Sequence, residues 1–520
     1  MKKYNILKVI LISILVVTIC TWIFPTQQFN QTLVKGDKME LGLYPLISYI
    51  VDLFRYFPYV VLVVLSIGAF YGVMYRIPAY RLTLDKIVDG FKGKENIFLT
   101  VIIAIIAILV SVSGLSYGML FVFPLVISLV LLMGYNKLVA ASVTVGSVMV
   151  GLIGTTLGSN SVLYINYILQ TELFDIMAWK VVILLLALII YVYNVLKYAN
   201  KTKNSTDMVV DYVPSSLAKT DKKVVAKEEV EVKKEVKKPK KAPVTKKKVA
   251  SKKTTKTRAN DNKTESVKVV KNTKKPNIWP LVVLFDITLL VICMGSFDWT
   301  TVLKTEWPAD TLKSINEFKI GGFEVLNKLL FGNVVNAFGS WSLNYEIPIT
   351  IFLASGIIAF IYGLNFDKYI EGVLDGIKKA SEPAFYMLLT YLVLIIVVYH
   401  PFQLNITKAI VDITKGFNVM TMSLSAMVSS LLNVESAYTA QASLPYIKTV
   451  ITNSSDYQLI GLIYQAIYGL TMLVAPTSVI LLGTLSYLDI SYTQWLKHIW
   501  KVFVELLVVL LAIFIIISLV

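Results

Sequence analysis

The chain has 520 residues, of which 56% are hydrophobic, and it carries a formal net charge of +17. Soluble domains contain about 45–50% apolar residues, so this composition excludes an ordinary soluble globular enzyme. Residues 197–275 hold 25 Lys and Arg against 9 Asp and Glu, so one segment carries nearly all of the net charge. The chain has two cysteines, two histidines and no nucleotide-loop, zinc-protease or hydrolase motif. We therefore expect a membrane protein that is not an enzyme and has no metal or cofactor site.

Apolar runs of about 20 residues, the length that crosses a bilayer as a helix, recur along the chain. The first run has no cleavage site for a signal peptidase, so we expect it to be retained as a helix. Lys and Arg are concentrated after the second run, in 200–276 and in 364–382. This distribution predicts a multi-pass protein of the plasma membrane with a cytoplasmic N-terminus. The nine predicted spans lie at about 7–24, 57–75, 138–157, 178–196, 279–296, 346–363, 384–399, 458–482 and 500–519.

A Lys-rich segment of low complexity, residues 200–276, divides the apolar sequence into two halves, 1–199 and 277–520. The segment has too few apolar side chains to offset chain entropy, so we predict a disordered cytoplasmic linker. Anionic lipid headgroups are the expected partners of its lysines. Nucleic acid is not expected, because the lysine runs are not interleaved with aromatic residues that could stack on bases.

The two halves contain similar elements in the same order. Residues 85–92 and 371–378 share an acidic residue, two aliphatic residues and Asp-Gly, and each predicts a short helix in the membrane interface. In each half an interrupted apolar stretch, 97–133 or 417–447, precedes a span that polar residues break. We therefore predict an all-α polytopic membrane protein of two inverted repeats. Each repeat would contain a re-entrant helical hairpin and a broken transmembrane helix.

Four polar or Pro-containing interruptions of the apolar sequence are the candidate binding sites. Backbone that leaves the helix inside a bilayer must face protein or a water-filled cavity, and secondary transporters bind solute and ion at such places. The hydroxyl, amide and carbonyl groups suit a small polar solute, with Na⁺ or H⁺ as the coupling ion. The candidate residues are Ser113, Gly114, Ser116 and Tyr117; Thr155, Thr156, Ser159, Asn160 and Ser161; Asn433, Glu435, Ser436, Tyr438, Thr439 and Gln441; and Pro476, Thr477 and Ser478.

Two interpretations of these residues stay open. Small and hydroxyl-bearing residues in membrane helices also allow close helix packing without binding any solute. Glu435 either contacts a solute, a proton or a cation, or is exposed at the outer face, because a buried carboxylate needs a partner.

Several short motifs resemble those of the C4-dicarboxylate anaerobic carrier family, in its YfcC-like branch, within the ion transporter superfamily. This resemblance covers both halves and omits the Lys-rich segment. It implies a two-repeat carrier with opposed hairpins, an elevator-type motion, and either coupling to Na⁺ or H⁺ or exchange. The motifs lie at 21–25, 68–74, 79–81, 132–135, 465–471, 475–478 and 492–497.

The substrate implied by the resemblance is a C4-dicarboxylate or, for the YfcC-like branch, a basic amino acid. Residues after Gly118, after Asn160 and around Glu435 depart from the family pattern, so the solute stays open. We expect a secondary transporter of small organic anions or amino acids, which could form a homodimer. An arginine/ornithine-type antiporter is the alternative, and a membrane tether acting through the Lys-rich segment is the alternative from another class.

Overall fold

A computed structural model describes residues 4–30, 32–158, 160–203, 276–328, 334–341 and 345–519. Most of the segment predicted to be a disordered linker, 204–275, therefore lies outside the described residues. The described residues before it and those from Ile278 onwards belong to one compact unit. Helices dominate this unit, and its sheets in the described ranges are two short antiparallel hairpins.

The described part of the first half begins with a long apolar helix and contains one of the two β-hairpins. A 3₁₀ turn covers Gly118–Phe121, and a π-helical turn, Ser142–Gly146, joins α7 to α8. The elements are α1 (Asn5–Ile23), β1 (Gln27–Asn30), β2 (Thr32–Lys35), α2 (Leu43–Tyr56), α3 (Pro58–Met74), α4 (Pro78–Gly90), α5 (Glu95–Ser113), α6 (Phe123–Leu132), α7 (Lys137–Ala141), α8 (Ser147–Ile153), α9 (Asn160–Leu169) and α10 (Met177–Thr202).

The described part of the second half begins at α11 and ends with another long apolar helix. Its elements are α11 (Trp279–Ser296), α12 (Trp299–Leu303), α13 (Trp307–Asn316), β3 (Lys319–Ile320), β4 (Phe323–Glu324), α14 (Glu346–Ile361), α15 (Phe366–Tyr399), α16 (Gln403–Val411), α17 (Val419–Leu432), α18 (Ser436–Val450), α19 (Asp456–Met472), α20 (Val479–Tyr487) and α21 (Tyr492–Leu519).

Six helices in the described ranges are long and apolar enough to cross a membrane. The α2–α3 pair, bent by 61°, would add a seventh. Pro58 causes this bend, because it lacks an amide hydrogen and disfavours the helical conformation of Phe57 before it. The chain is thus a helical, multi-pass membrane protein. Nine crossings stay a prediction, because the expected spans at 138–157, 346–363 and 458–482 correspond to shorter or interrupted helices.

The prediction of a short separate helix at 371–378 is wrong. These residues belong to α15, which has 34 residues and also contains the span predicted at 384–399. The helix starts early because the Asn365 side chain accepts a hydrogen bond from the Lys368 amide, which caps the first turn. The corresponding segment, 85–92, does end its own helix, since α4 stops at Gly90.

Glycines allow α3 and α15 to pack with their backbones in close contact. A Cβ atom added at Gly68 would lie 2.7 Å from the carbonyl oxygen of Gly376, closer than real Cβ atoms approach. Gly72 and Gly372 face each other one turn away. The Arg76 guanidinium lies 2.7 Å from the Asp375 carboxylate at the end of this contact. The Asp-Gly of 371–378 therefore holds two helices together, which the matching Asp-Gly of 85–92 does not do.

We predict that Gly376→Ala lowers the melting temperature of the detergent-solubilised protein. The added methyl group would overpack the α3–α15 contact, at a cost of about 1–3 kcal/mol. The control is Gly90→Ala, because nothing lies within 4 Å of a Cβ atom at Gly90. That change should leave the melting temperature unchanged or raise it, as alanine is the better helix former. Equal melting temperatures for the two variants would contradict the packing argument.

Candidate solute-binding site

The four predicted interruptions meet at one cavity of about 60 Å³, which we call the tip cavity. Two of them are turns between helices, the first tip (residues 114–117) and the second tip (residues 433–435). The other two are helix breaks, since α8 ends at Ile153 before α9 and α19 ends at Met472 before α20. The residues that line the tip cavity are Gly114, Ser116, Tyr117, Met149, Leu152, Thr155, Ser161, Val162, Val434, Glu435, Ser436, Gln465, Tyr468, Met472, Ser478, Val479 and Ile480.

The first helix break is held by side chains of α5 and α19. The Ser111 hydroxyl donates to the Gly154 carbonyl over 2.6 Å, and the Thr156 amide donates back to the Ser111 carbonyl over 2.9 Å. The Gln465 amide group donates to the Thr155 carbonyl from the other half of the chain. The Gly154 and Thr155 carbonyls, which directly follow the end of α8, are thus paired although the helix stops there.

The second helix break is held in the same manner by α17 and α21. The Thr477 hydroxyl donates to the Leu431 carbonyl over 3.1 Å and joins the break to the last turn of α17. The Trp495 indole donates to the Leu473 carbonyl over 2.9 Å, and the Tyr492 hydroxyl donates to the Val474 carbonyl. Tyr492 and Trp495 belong to the motif at 492–497, which is one of those that carry the family resemblance.

Eight of the predicted site residues line the tip cavity: Gly114, Ser116, Tyr117, Thr155, Ser161, Glu435, Ser436 and Ser478. Ser159 and the side chain of Asn160 lie outside the described residues. The remaining eight do not line the cavity: Ser113, Thr156, Asn433, Tyr438, Thr439, Gln441, Pro476 and Thr477.

Several of these eight residues bond to nearby backbone or to a neighbouring side chain instead of facing the cavity. The Ser113 and Thr439 hydroxyls donate to carbonyls of their own segments, Leu109 and Glu435. The Asn433 amide donates to the Gln403 side-chain oxygen and to the Ser429 carbonyl, which fixes the second tip on α16 and α17. These polar groups are satisfied inside the protein, so they stabilise the tips and the breaks.

Glu435 at the second tip shares its carboxylate with two tyrosines from distant segments. The Tyr391 hydroxyl of α15 donates to it, and the Tyr117 hydroxyl of the first tip lies 3.5 Å from the same oxygen. The two hydroxyls are 2.7 Å apart. Glu435 is half-buried. Within the described residues it forms no ion pair, and no Lys, Arg or His lines the cavity with it.

Three helices begin at the tip cavity: α9, α18 and α20. Ser161 is the second residue of α9, Ser436 is the first residue of α18 and Ser478 directly precedes α20, and all three line the cavity. The starts of α18 and α20 have no side-chain cap, as is the case for most helices in the described ranges, where Asn365, Asn418 and Asn136 are among the exceptions. An uncapped helix start presents backbone N–H donors and a partial positive charge, which favour an anionic ligand.

A model of the DcuC family, described as the C4-dicarboxylate anaerobic carrier, matches residues 4–245 and 453–519, which is more than half of the chain. The chain belongs to this family. Membership confirms the resemblance at the level of this family, whereas the YfcC-like branch stays a prediction. The extent differs from the one expected, because the match includes residues 200–245 of the Lys-rich segment and leaves out 277–452 of the second half. No curated protein matched the chain. In this carrier the match covers the first tip and both helix breaks, but leaves out residues 246–452 and with them Tyr391 and Glu435.

The sequence did not single out three residues of this site as binding residues. Gln465 and Tyr468 lie one turn apart on the buried helix α19, and both line the tip cavity. Polar side chains at this spacing in an apolar span were the available signal. Tyr391 gave no such signal, because its neighbours in α15 are apolar except for Thr390. The described residues contain no group of three or more His, Cys, Asp and Glu side chains suited to a metal ion.

We predict that Trp495→Phe destabilises the carrier. Phenylalanine keeps most of the ring but removes the indole donor, so the Leu473 carbonyl loses its partner at a cost of about 1–3 kcal/mol. The measurement is the melting temperature in detergent. The control is Trp500→Phe, because Trp500 is 57% exposed on the same helix. A melting temperature as high for Trp495→Phe as for this control would show that the indole bond does not matter.

Proposed function

We propose that this protein is a secondary carrier that moves a C4-dicarboxylate across the plasma membrane by binding it in the tip cavity. The helix starts at the cavity carry this proposal. The N–H groups at the uncapped starts of α18 and α20 are suited to bind a carboxylate group, as is the start of α9. Two or three such sites around one cavity match a ligand with two carboxylates, which agrees with the description of the family.

The negative charge of Glu435 repels this ligand, and the free energy of that repulsion is comparable to the attraction from two helix starts. Two like charges 4 Å apart repel by about 4 kcal/mol at an effective dielectric constant of about 20. A helix start contributes up to about 2 kcal/mol of attraction in a partly buried site. Two starts therefore offset one repulsion, so the protonation state of Glu435 decides how well a dianion binds.

The hairpins and helix breaks support an elevator-type carrier of two inverted repeats. In each half the first hairpin arm packs on the helix that precedes the break, α5 on α8 and α17 on α19. The halves also interlock, since α8 packs on α19 and α9 on α18. We assign the tips and breaks to the moving part and the glycine-packed α3–α15 pair to the static part. Na⁺ or H⁺ would couple to the solute, or the carrier would exchange two solutes.

A basic amino acid antiporter of the YfcC-like type is the second candidate. Glu435 favours it, because a carboxylate in a cavity without Lys, Arg or His among its described lining residues suits a cationic solute. Such a solute would still place its own carboxylate at a helix start. The two candidates therefore share one cavity and differ in the charge that Glu435 meets.

The remaining features of this proposal concern the protein's surroundings. We place the N-terminus and the Lys-rich segment in the cytoplasm, with anionic headgroups beside the lysines, and include a homodimer as the assembled form. Acyl chains of the lipid bilayer contact the exposed apolar side chains of the long helices.

We predict that the purified full chain in proteoliposomes exchanges external labelled succinate for internal succinate. Its helix starts should also accept other four-carbon dicarboxylates. Counterflow is measured against arginine, ornithine, neutral amino acids and citrate, with and without Na⁺. Exchange of arginine or ornithine without any succinate exchange would favour the second candidate. No exchange of any of these solutes would overturn the carrier proposal.

We predict that Ser478→Asp weakens succinate binding. An aspartate at the start of α20 would occupy the N–H donors and repel a dianion. The KM for succinate should rise at least ~10-fold, which corresponds to ~1.4 kcal/mol. A basic amino acid substrate would show the opposite change, a lower KM. The control is Ser381→Asp at an exposed position of α15. An unchanged KM for succinate in a folded Ser478→Asp variant would remove the α20 start from the site.

We predict that replacing residues 204–275 with a Gly/Ser segment of equal length leaves solute exchange intact. All residues that line the tip cavity lie outside this segment. A membrane tether that acts through its lysines would lose its entire activity. Loss of succinate exchange in a correctly inserted variant would make the Lys-rich segment part of the transport mechanism.

A further inference from the structure

Glu435 is the acidic group among the described residues that line the tip cavity. Its carboxylate bridges the second tip and α15 through Tyr391, and it lies near the first tip through Tyr117. The residue is half-buried, and its accessible surface faces the cavity. A solute in the cavity would therefore meet this carboxyl group directly.

In the described ranges, the titratable groups that the packed elements place around Glu435 are phenols. Tyr59 of α3 packs edge-on against the Tyr391 ring, Tyr468 of α19 lines the same cavity, and Tyr438 lies one turn along α18. No Lys, Arg or His lines the cavity beside it in these ranges. No side chain described there compensates for its negative charge when a dianion enters, so beyond the helix starts only a proton on the carboxyl group itself can do so.

We propose that Glu435 carries the coupling proton of this carrier and must be protonated before a dicarboxylate occupies the tip cavity. This inference rests on the proposed function. An ionised carboxylate can only accept hydrogen bonds, and the tyrosines donate to it. A protonated carboxyl group has an O–H donor that can bind a carboxylate oxygen of the solute. The proton comes from water on the side from which the solute enters and is released to water on the other side.

The same proton loosens the contact between the tips and α15. A phenol donates a stronger hydrogen bond to a charged acceptor than to a neutral one. Protonation therefore weakens the Tyr391–Glu435 bond at the same step that makes room for the dianion. The solute-loaded tips would be less firmly held on the α15 helix, which fits the movement assigned to them.

The test uses purified wild-type chain, Glu435→Gln and Glu505→Gln in proteoliposomes that contain a pH-sensitive dye. Glu505 is a matched control, because its carboxylate also lies on a membrane helix but binds Asn194 and Lys501 away from the cavity. An inward succinate gradient at equal pH should acidify the interior for wild type and Glu505→Gln. Glu435→Gln should lose this acidification and the accumulation of succinate driven by a pH gradient. Whatever succinate counterflow Glu435→Gln retains should no longer fall as the pH rises, because glutamine has no proton to lose.

The results separate this inference from the proposed function. No succinate exchange by wild type overturns the proposed function. Succinate exchange by wild type without acidification overturns only the role of Glu435, and this wild-type measurement decides even where Glu435→Gln does not fold. Acidification that persists in Glu435→Gln, or counterflow by a folded Glu435→Gln protein that still falls as the pH rises, also overturns it.

Tyr391→Phe provides a second readout with a defined sign. Removing the phenol donor destabilises the ionised carboxylate, so Glu435 keeps its proton at a higher pH. The pH above which succinate uptake falls should shift upwards, while the acidification remains. An unchanged pH profile would show that the Tyr391 bond does not set the protonation of Glu435.

Discussion

The structure depends on one constraint, which is that backbone carbonyls freed inside an apolar body must find donors. Helices α8 and α19 both stop within the protein, and each leaves carbonyls without helical partners. Ser111, Gln465, Trp495 and Tyr492 supply these donors, and none of the four lies in the break that it supports. Because the breaks are stabilised from outside, their polar turns can border a cavity instead of being used up in pairing with one another.

The described unit contains two kinds of contact between its helices. The contact between α3 and α15 relies on backbone approach at glycines and on the Arg76–Asp375 ion pair, which tolerate little displacement. The contacts around the tips rely on hydroxyl, amide and indole hydrogen bonds, which can be exchanged for bonds to a solute or to water. Tyr391 connects the two kinds of contact, since it belongs to α15 but donates a hydrogen bond to Glu435 in the second tip. This contrast is the physical basis for assigning the tips to the moving part.

Much of the architecture could be predicted from the sequence, because apolar runs and their interruptions follow from composition alone. The helix ends near Ile153 and Met472 and the turns at 114–117 and 433–435 lie where Gly, Pro and polar residues interrupt the spans. The residues that support the breaks could not be predicted. Gln465 acts on a carbonyl 310 residues away. Composition also could not separate hydroxyls that face the cavity, such as Ser478, from neighbours such as Thr477 that bind backbone.

The two walls of the tip cavity differ in their relation to the family. One wall, from the first tip, α8, α9 and α19, lies in sequence that the family model matches, whereas the second tip and Tyr391 lie in 246–452, which it does not match. The wall in the matched sequence contains hydroxyl and amide groups, and the other wall contributes the charge. A carrier built in this way can acquire a different solute through substitutions confined to one short turn. The architecture that closes the helix breaks would then be preserved while the cargo changes.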